Sequence, residues 1–263
     1  MKNKTIKFIL FILFIIGFCF FSNNFIQVSY YNCSYKGNKD YKIVQVSDLH
    51  NKTFGNYLLN KIKKQNPNII VVTGDIISSN DTNYENVYNF LNNCSKIANT
   101  YYISGNHETC NNKKYKDLLS YLKNLNITFL DNNSIHLDEN INLIGLKDIN
   151  GVGYNNFKTS LHKLKDENKF NLLLSHRPEL FDLYQEENID LVLTGHAHGG
   201  QWRIPFTNKG IYAPSQGFFP TLIEGIHTKN NTTMIISRGL GNSSFPLRLF
   251  NQPELVVINL KGE

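Results

Sequence analysis

From residue 41 onward the chain alternates short apolar runs with stretches of helical spacing. Tyr41–Val46 reads as a strand, Tyr57–Gln65 as a helix, and the β-branched run Asn68–Thr73 as a buried strand. Apolar positions at Val87, Phe90, Leu91 and Ile97 predict a helix over Tyr84–Ile97, and Tyr101–Ser104 predicts a third strand. A helix over Lys113–Leu125 leads to strands over Ile127–Leu130, Ser134–Leu137 and Asn142–Leu146. Thr159–Glu167 is amphipathic, Phe170–Leu174 a strand, Glu179–Glu187 a helix and Ile189–Leu193 a strand. Beyond Gly195 the helical spacing stops, leaving β segments near Thr233–Ser237 and Leu255–Leu260. No repeat or low-complexity tract interrupts the series. It predicts one α/β domain of two packed sheets.

The start of the chain follows another rule. Phe8–Phe21 is apolar apart from Gly17, and no charge falls between Lys7 and Lys36. As a helix, Phe8–Ile26 spans about 28 Å at 1.5 Å per residue, close to the ~30 Å hydrocarbon core of a bilayer. A cleaved secretory signal and an uncleaved signal anchor share this pattern. No small-x-small cleavage site follows the run, and Phe18 before Cys19 suits lipoprotein processing poorly, so the anchor is preferred. Lys2, Lys4 and Lys7 keep their side cytoplasmic under the positive-inside rule. The expected organisation is a signal anchor over 1–29, a polar linker over 30–40, and an extracytoplasmic domain over 41–263. That makes a single-pass protein of the cell membrane.

Composition narrows the classes. With 41% hydrophobic and 18% charged residues, the 263-residue chain is not wholly disordered. The net charge of +6 falls to three once Lys2, Lys4 and Lys7 are set aside, and no long Lys/Arg run remains. No dedicated nucleic-acid surface is expected. Cys19, Cys33, Cys94 and Cys110 form no Cys-x-x-Cys pair, which excludes a zinc ribbon; Cys94 and Cys110 either bridge or stay as thiols.

The informative residues stand where apolar runs end. Asp48-Leu49-His50 follows the first strand, Gly74-Asp75 the second and Gly105-Asn106-His107-Glu108 the third. Ser175-His176 follows a later strand, and Gly195-His196-Ala197-His198-Gly199-Gly200 the next. Ligands of open α/β sheets gather outside the carboxyl ends of strands, so five such endings can converge. Carboxylate, amide oxygen and imidazole together suit Mn²⁺, Fe²⁺ or Zn²⁺ rather than a thiolate-loving ion.

This ordered set, with Ser-His-Arg-Pro at 175–178 and Gln201 after the glycine pair, resembles the calcineurin-like metallophosphoesterases. Ser237-Arg238-Gly239-Leu240-Gly241, Pro246, Arg248 and Pro253-Glu254-Leu255 resemble a subgroup of membrane-associated bacterial phosphodiesterases. The resemblance covers about residues 41–260 and implies a four-layer α/β-β/α sandwich with two divalent metal ions between the sheets. It assigns Asp48, His50 and His198 to one ion, Asn106, His176 and His196 to the other, and Asp75 to both. Two cations roughly 3.5–4 Å apart activate a bridging water and stabilise charge on the attacked phosphoryl group. His107 is the implied general acid, protonating or polarising the departing oxygen. The family commonly has a second aspartate three residues after the bridging one; here Ser78 stands there, which points to Glu108 as the holder of His107. Arg177 and Arg238 either contact phosphate or remain solvated.

A monomeric hydrolase of phosphodiester or pyrophosphate bonds is therefore expected. Trp202, Ile204, Phe206, Phe218, Phe219, Phe245 and Phe250 either close the core or form an apolar rim for an acyl chain. Relatives that cleave the pyrophosphate of a diacylated UDP-sugar extend the second reading to a lipid-linked or glycolipid substrate. The alternatives are hydrolysis of small soluble diesters or nucleotides, and a metal-binding module without chemistry.

Overall fold

A computed structural model describes residues 2–207, 209–242 and 245–263; Met1, within the expected anchor, lies outside them. Helix α1 (Lys2–Asn24) is apolar on all sides and exposed, with Phe14 at 70%. A helix of this kind is long and apolar enough to cross a bilayer.

Strand β1 (Gln27–Tyr35) begins three residues after α1 ends. The first half continues with β2 (Tyr41–Val46), α2 (Asn56–Gln65), β3 (Ile69–Thr73), α3 (Glu85–Ser95), β4 (Asn99–Ile103), α4 (Asn106–Thr109), α5 (Asn112–Leu122) and β5 (Thr128–Phe129). The second half holds β6 (Asn133–His136), β7 (Ile141–Gly145), α6 (Ile149–Val152), α7 (Tyr154–Leu164), β8 (Phe170–Leu174), α8 (Phe181–Glu186) and β9 (Leu191–Thr194). The hairpin β10 (Tyr212–Ala213) and β11 (Gly217–Phe218) precedes β12 (Gly225–Lys229), β13 (Thr232–Ile236) and β14 (Glu254–Gly262).

Two six-stranded sheets result, ordered β1-β14-β2-β3-β4-β5 and β12-β13-β9-β8-β7-β6. Strands β2 to β5 run parallel, as do β13, β9, β8 and β7. Between the sheets lies a core of Ile43, Val71, Ile103, Leu143, Leu172 and Leu193 with their neighbours. Val44, Val72, Leu58, Leu91 and Leu118 join the far face of the first sheet to α2, α3 and α5. Ile144, Leu173, Phe157 and Tyr184 do the same for the second sheet with α7 and α8. The layers run helices, sheet, sheet, helices. Central strands are buried on both faces, which explains their continuous apolar runs.

The expected linker over 30–40 is a correction. Residues 27–35 pair in parallel with β14, from Gln27 opposite Glu254 to Tyr35 opposite Gly262. As an edge strand, β1 alternates exposed and half-buried side chains, so it reads as polar rather than apolar. Helix α7 starts at Tyr154, five residues before its expected start, because Gly153 at φ 77° opens it and its first turn is Asn-rich. All four cysteines are free, and Cys94 is buried while Cys110 is exposed.

Candidate metal centre

The loops after β2, β3, β4, β8 and β9 meet between the sheets at their shared carboxyl end. They carry Asp48, Asp75, Asn106, His176, His196 and His198, with His50 two residues beyond Asp48. Two groups of donors form. Asp48, His50, Asp75 and His198 make one, Asp75, His176 and His196 the other, each with donor atoms within 4.8 Å of one another. Asp75 belongs to both.

His50 and His198 bring their Nε2 atoms to 3.1 Å, and His198 Nε2 lies 3.3 Å from Asp48 Oδ1. His176 Nε2 lies 3.1 Å from Asp75 Oδ2. Its Nδ1 donates to the Thr73 carbonyl at 2.8 Å, which fixes Nε2 as the nitrogen facing the centre. Asn106 Oδ1 is buried and has no hydrogen-bond partner among the described residues. An orphaned buried acceptor, one residue before His107 whose backbone N–H bonds Asp75, fits a cation ligand. The residues present therefore fit a pair of divalent ions.

Backbone geometry tells the same story. Asp48, His50, Asp75, His196 and His198 all have φ between 48° and 66°. Left-handed backbone costs roughly 1–2 kcal/mol per non-glycine residue and gathers at functional sites. Gly105 permits the close approach: a Cβ there would lie 2.3 Å from Asp75 Oδ1.

The electrostatics are lopsided without cations. Burial opposes ionisation of Asp75, but the His176, His50 and His107 imidazoles hold its carboxyl well below the usual range. Burial pushes Asp48 up to about 6, against the pull of His176. Burial also disfavours charge on His176, yet Asp75 and Asp48 outweigh it and raise the pKa to about 10. Desolvation lowers His50 to about 4 and holds His196 and His198 well below their ordinary value.

His107 sits beside this cluster with its side chain 29% exposed. Its backbone N–H donates to Asp75 Oδ1 at 2.8 Å, and its ring Nε2 lies 3.9 Å from Asp75 Oδ2. Glu108 does not hold it, which corrects the expectation. That carboxylate accepts the N–H groups of Asp75, Ile76, Ile77 and Gly105 and so clamps two ligand loops together. Burial and the Asp75 charge push Glu108 up to about 8 against those donors. The residue that holds His107 is Ser79, through its backbone N–H. Ser78 instead places Oγ 3.5 Å from His50 Nδ1.

Arg177 is buried and gripped by Asp148, with Nε to Oδ2 at 2.6 Å and Nη2 to Oδ1 at 2.9 Å. Its other arm, Nη1, reaches His196 Nε2 at 2.9 Å, Ser215 Oγ at 3.1 Å and Glu179 Oε1 at 3.4 Å. Asp148 follows β7 as the ligands follow their strands, and that position was its only sequence signal. Arg238 points elsewhere: Glu254 and Glu224 neutralise it within the fold, behind the 198–200 turn.

Beside His198 opens a cavity of about 350 Å³ walled by Trp202, Ile211, Tyr212, Pro214 and Phe245. Phe206, Phe218, Phe219, Phe245 and Phe250 are at least half exposed, so they do not close the core.

The calcineurin-like phosphoesterase pattern matches residues 41–200. An uncharacterized metallophosphoesterase of Campylobacter jejuni is 33% identical over 235 residues, covering 86% of this chain and 60% of that protein. YkuE of Bacillus subtilis, also an uncharacterized metallophosphoesterase, is 30% identical across 84% of this chain and 79% of its own. The phosphodiesterase YaeI of Escherichia coli is 26% identical, covering 84% and 82%. The chain spans about three fifths of the length of the first curated relatives it matches. The match takes in more than half of the chain and every strand end that carries a donor. The chain belongs to the calcineurin-like phosphoesterase family, metal-dependent hydrolases whose centres hold two divalent ions.

Proposed function

We propose that this protein hydrolyses a phosphodiester or pyrophosphate bond in a lipid-linked substrate at the membrane surface. The observation that carries the chemistry is one carboxylate, Asp75, shared by two donor groups. In this reading Asp48, His50 and His198 hold one ion, Asn106, His176 and His196 the other, and Asp75 both. Two such ions supply Lewis acidity and an activated water for in-line attack. His107 offers Nε2–H to the departing oxygen. Arg177, its fork fixed by Asp148, presents one arm to a phosphoryl oxygen.

The lipid half of the proposal is supported by the apolar cavity on the flank of His198 and by the exposed aromatics around it. Phe18 of α1 packs on the exposed Phe250 with ring centroids 4.9 Å apart, which ties the apolar helix to the aromatic-rich C-terminal part of the domain. With α1 as an uncleaved anchor and Lys2, Lys4 and Lys7 on the cytoplasmic side, the domain lies outside. The test is hydrolysis of bis(p-nitrophenyl) phosphate with added Mn²⁺ and with chelator, then of matched acylated and soluble diesters. No metal-dependent turnover on any diester would leave a binding module in its place.

A further inference from the structure

Helix α1 is exposed along nearly all its length, yet Asn23 in its last turn is buried. Its side-chain Oδ1 accepts the Arg248 N–H at 2.8 Å, while Nδ2 reaches the Arg248 carbonyl at 3.3 Å and the Cys19 carbonyl at 2.7 Å. Its own carbonyl accepts the Lys52 ammonium. One residue thus grips two segments, one from each half of the fold.

Both segments lead to the same donor group. The Arg248 side chain is wholly buried with no carboxylate in hydrogen-bond contact among the described residues, an expensive placement met here by backbone carbonyls. Its Nε and Nη2 donate to the Gly241 carbonyl at 2.8 and 2.5 Å, and Nη2 lies 3.4 Å from His198 Nδ1. The Gly241 N–H donates in turn to the Asp48 carbonyl at 2.6 Å. Lys52 stands two residues after His50, its N–H bonded to the Leu49 carbonyl. Asp48, His50 and His198 are therefore all braced by a network that ends on Asn23. The imidazoles of His176 and His196 rest on other supports, the Thr73 carbonyl and the Arg177–Asp148 pair, while the His196 backbone N–H donates to the Asp48 carboxylate at 3.1 Å.

We propose that Asn23 is a positioning residue for one half of the metal centre. The seated end of α1 holds the Asp48–His50–His198 group in register and reaches the His176–His196 group only indirectly, through the Asp48 carboxylate that accepts the His196 backbone N–H. This rests on the dinuclear reading above. Outer-shell partners of metal ligands typically contribute tenfold to hundredfold in affinity.

The test uses the full chain in detergent, stripped of metal and titrated with Mn²⁺ by calorimetry, with electron paramagnetic resonance on the loaded samples. Asn23→Ala is expected to weaken one of two Mn²⁺ sites by tenfold or more and the other by less than about twofold. The exchange-coupled signal of a manganese pair should give way to the six-line signal of a single ion. Asn24→Ala removes a side chain bonded, among the described residues, only to the Phe20 carbonyl and should leave both sites intact. Equal weakening of both sites, or no weakening, overturns the proposal. A wild-type chain that binds only one Mn²⁺ overturns the dinuclear reading itself. Should Asn23→Ala fail to fold, Lys52→Met cuts the other arm while keeping the stem, and the same split is expected.

Discussion

The backbone N–H of Ser79 donates to Nδ1 of His107 across 2.9 Å. A ring nitrogen that accepts cannot also carry the proton, so the neutral imidazole holds its hydrogen on Nε2, toward Asp75. His107→Ala is expected to keep the metals yet lose about 10²–10⁴ in rate on substrates with poor leaving groups. With nitrophenolate, which departs without a proton, the loss should shrink. Equal losses on both substrate types would remove His107 from the departing oxygen. Part of the rate should return in His107→Gln if the ring polarises that oxygen rather than protonating it.

Asp75 stands in both donor groups, so its removal should be felt twice. Elemental analysis should find about two divalent ions per wild-type chain and markedly fewer in Asp75→Asn, with turnover lost in parallel. An Asp75→Asn protein with undiminished turnover would refute the shared position.

Asp148 and Arg177 form a bidentate pair in which the aspartate is wholly buried and the arginine nearly so. Removing one partner of such a pair strands a buried charge at a cost of about 3–5 kcal/mol. Urea unfolding of Asp148→Ala should show that loss. A variant within about 1 kcal/mol of wild type would show that solvent reaches Arg177 and that Asp148 does not fix it.

Only Phe25 and Ile26 separate α1 from β1, so the domain sits directly against the bilayer if α1 spans it. Protease added to spheroplasts should digest the domain while an N-terminal tag stays protected. A soluble mature protein starting after residue 25, or a protected domain, would overturn the anchored, outward arrangement.

An acyl chain lodged in the cavity beside His198 should raise kcat/KM. At about 0.8 kcal/mol per buried methylene, four methylenes correspond to roughly two-hundredfold. Trp202→Ala combined with Phe245→Ala should erase that advantage and leave soluble diesters unaffected. If acylated and soluble substrates perform alike on the wild type, a small soluble diester becomes the better candidate.

The sequence exposed the centre because its chemistry sits in short motifs at the ends of apolar runs. Central strands such as β3 are buried on both faces, so their limits coincide with Gly74-Asp75. Edge elements were illegible for the opposite reason. Strand β1 buries little, and what defines it is a partner near residue 254. Strand β12 likewise alternates half-buried and exposed residues against β13. The support of His107 was hidden differently: a backbone N–H has no residue type, so nothing at Ser79 could announce it. Ser78, which did stand out, touches His50 instead.

The pairing of β1 with β14 also sets an order of events during synthesis. Asn32 and Asn259, facing across that seam, are 227 residues apart. At the usual 5–20 residues per second, the ribosome needs about 10–45 s to make the second after the first. For that interval α1 is complete while its seat at Arg248 does not yet exist, and Tyr31, Cys33 and the rest of β1 have no strand to pair with. The parallel core of the first sheet can form earlier, since β2 to β5 end by Phe129. Strand β1 can therefore pair only after β14 has been made. Ribosome-bound chains halted before residue 248 should carry a folded β2–β5 core and a first donor group that is still unbraced.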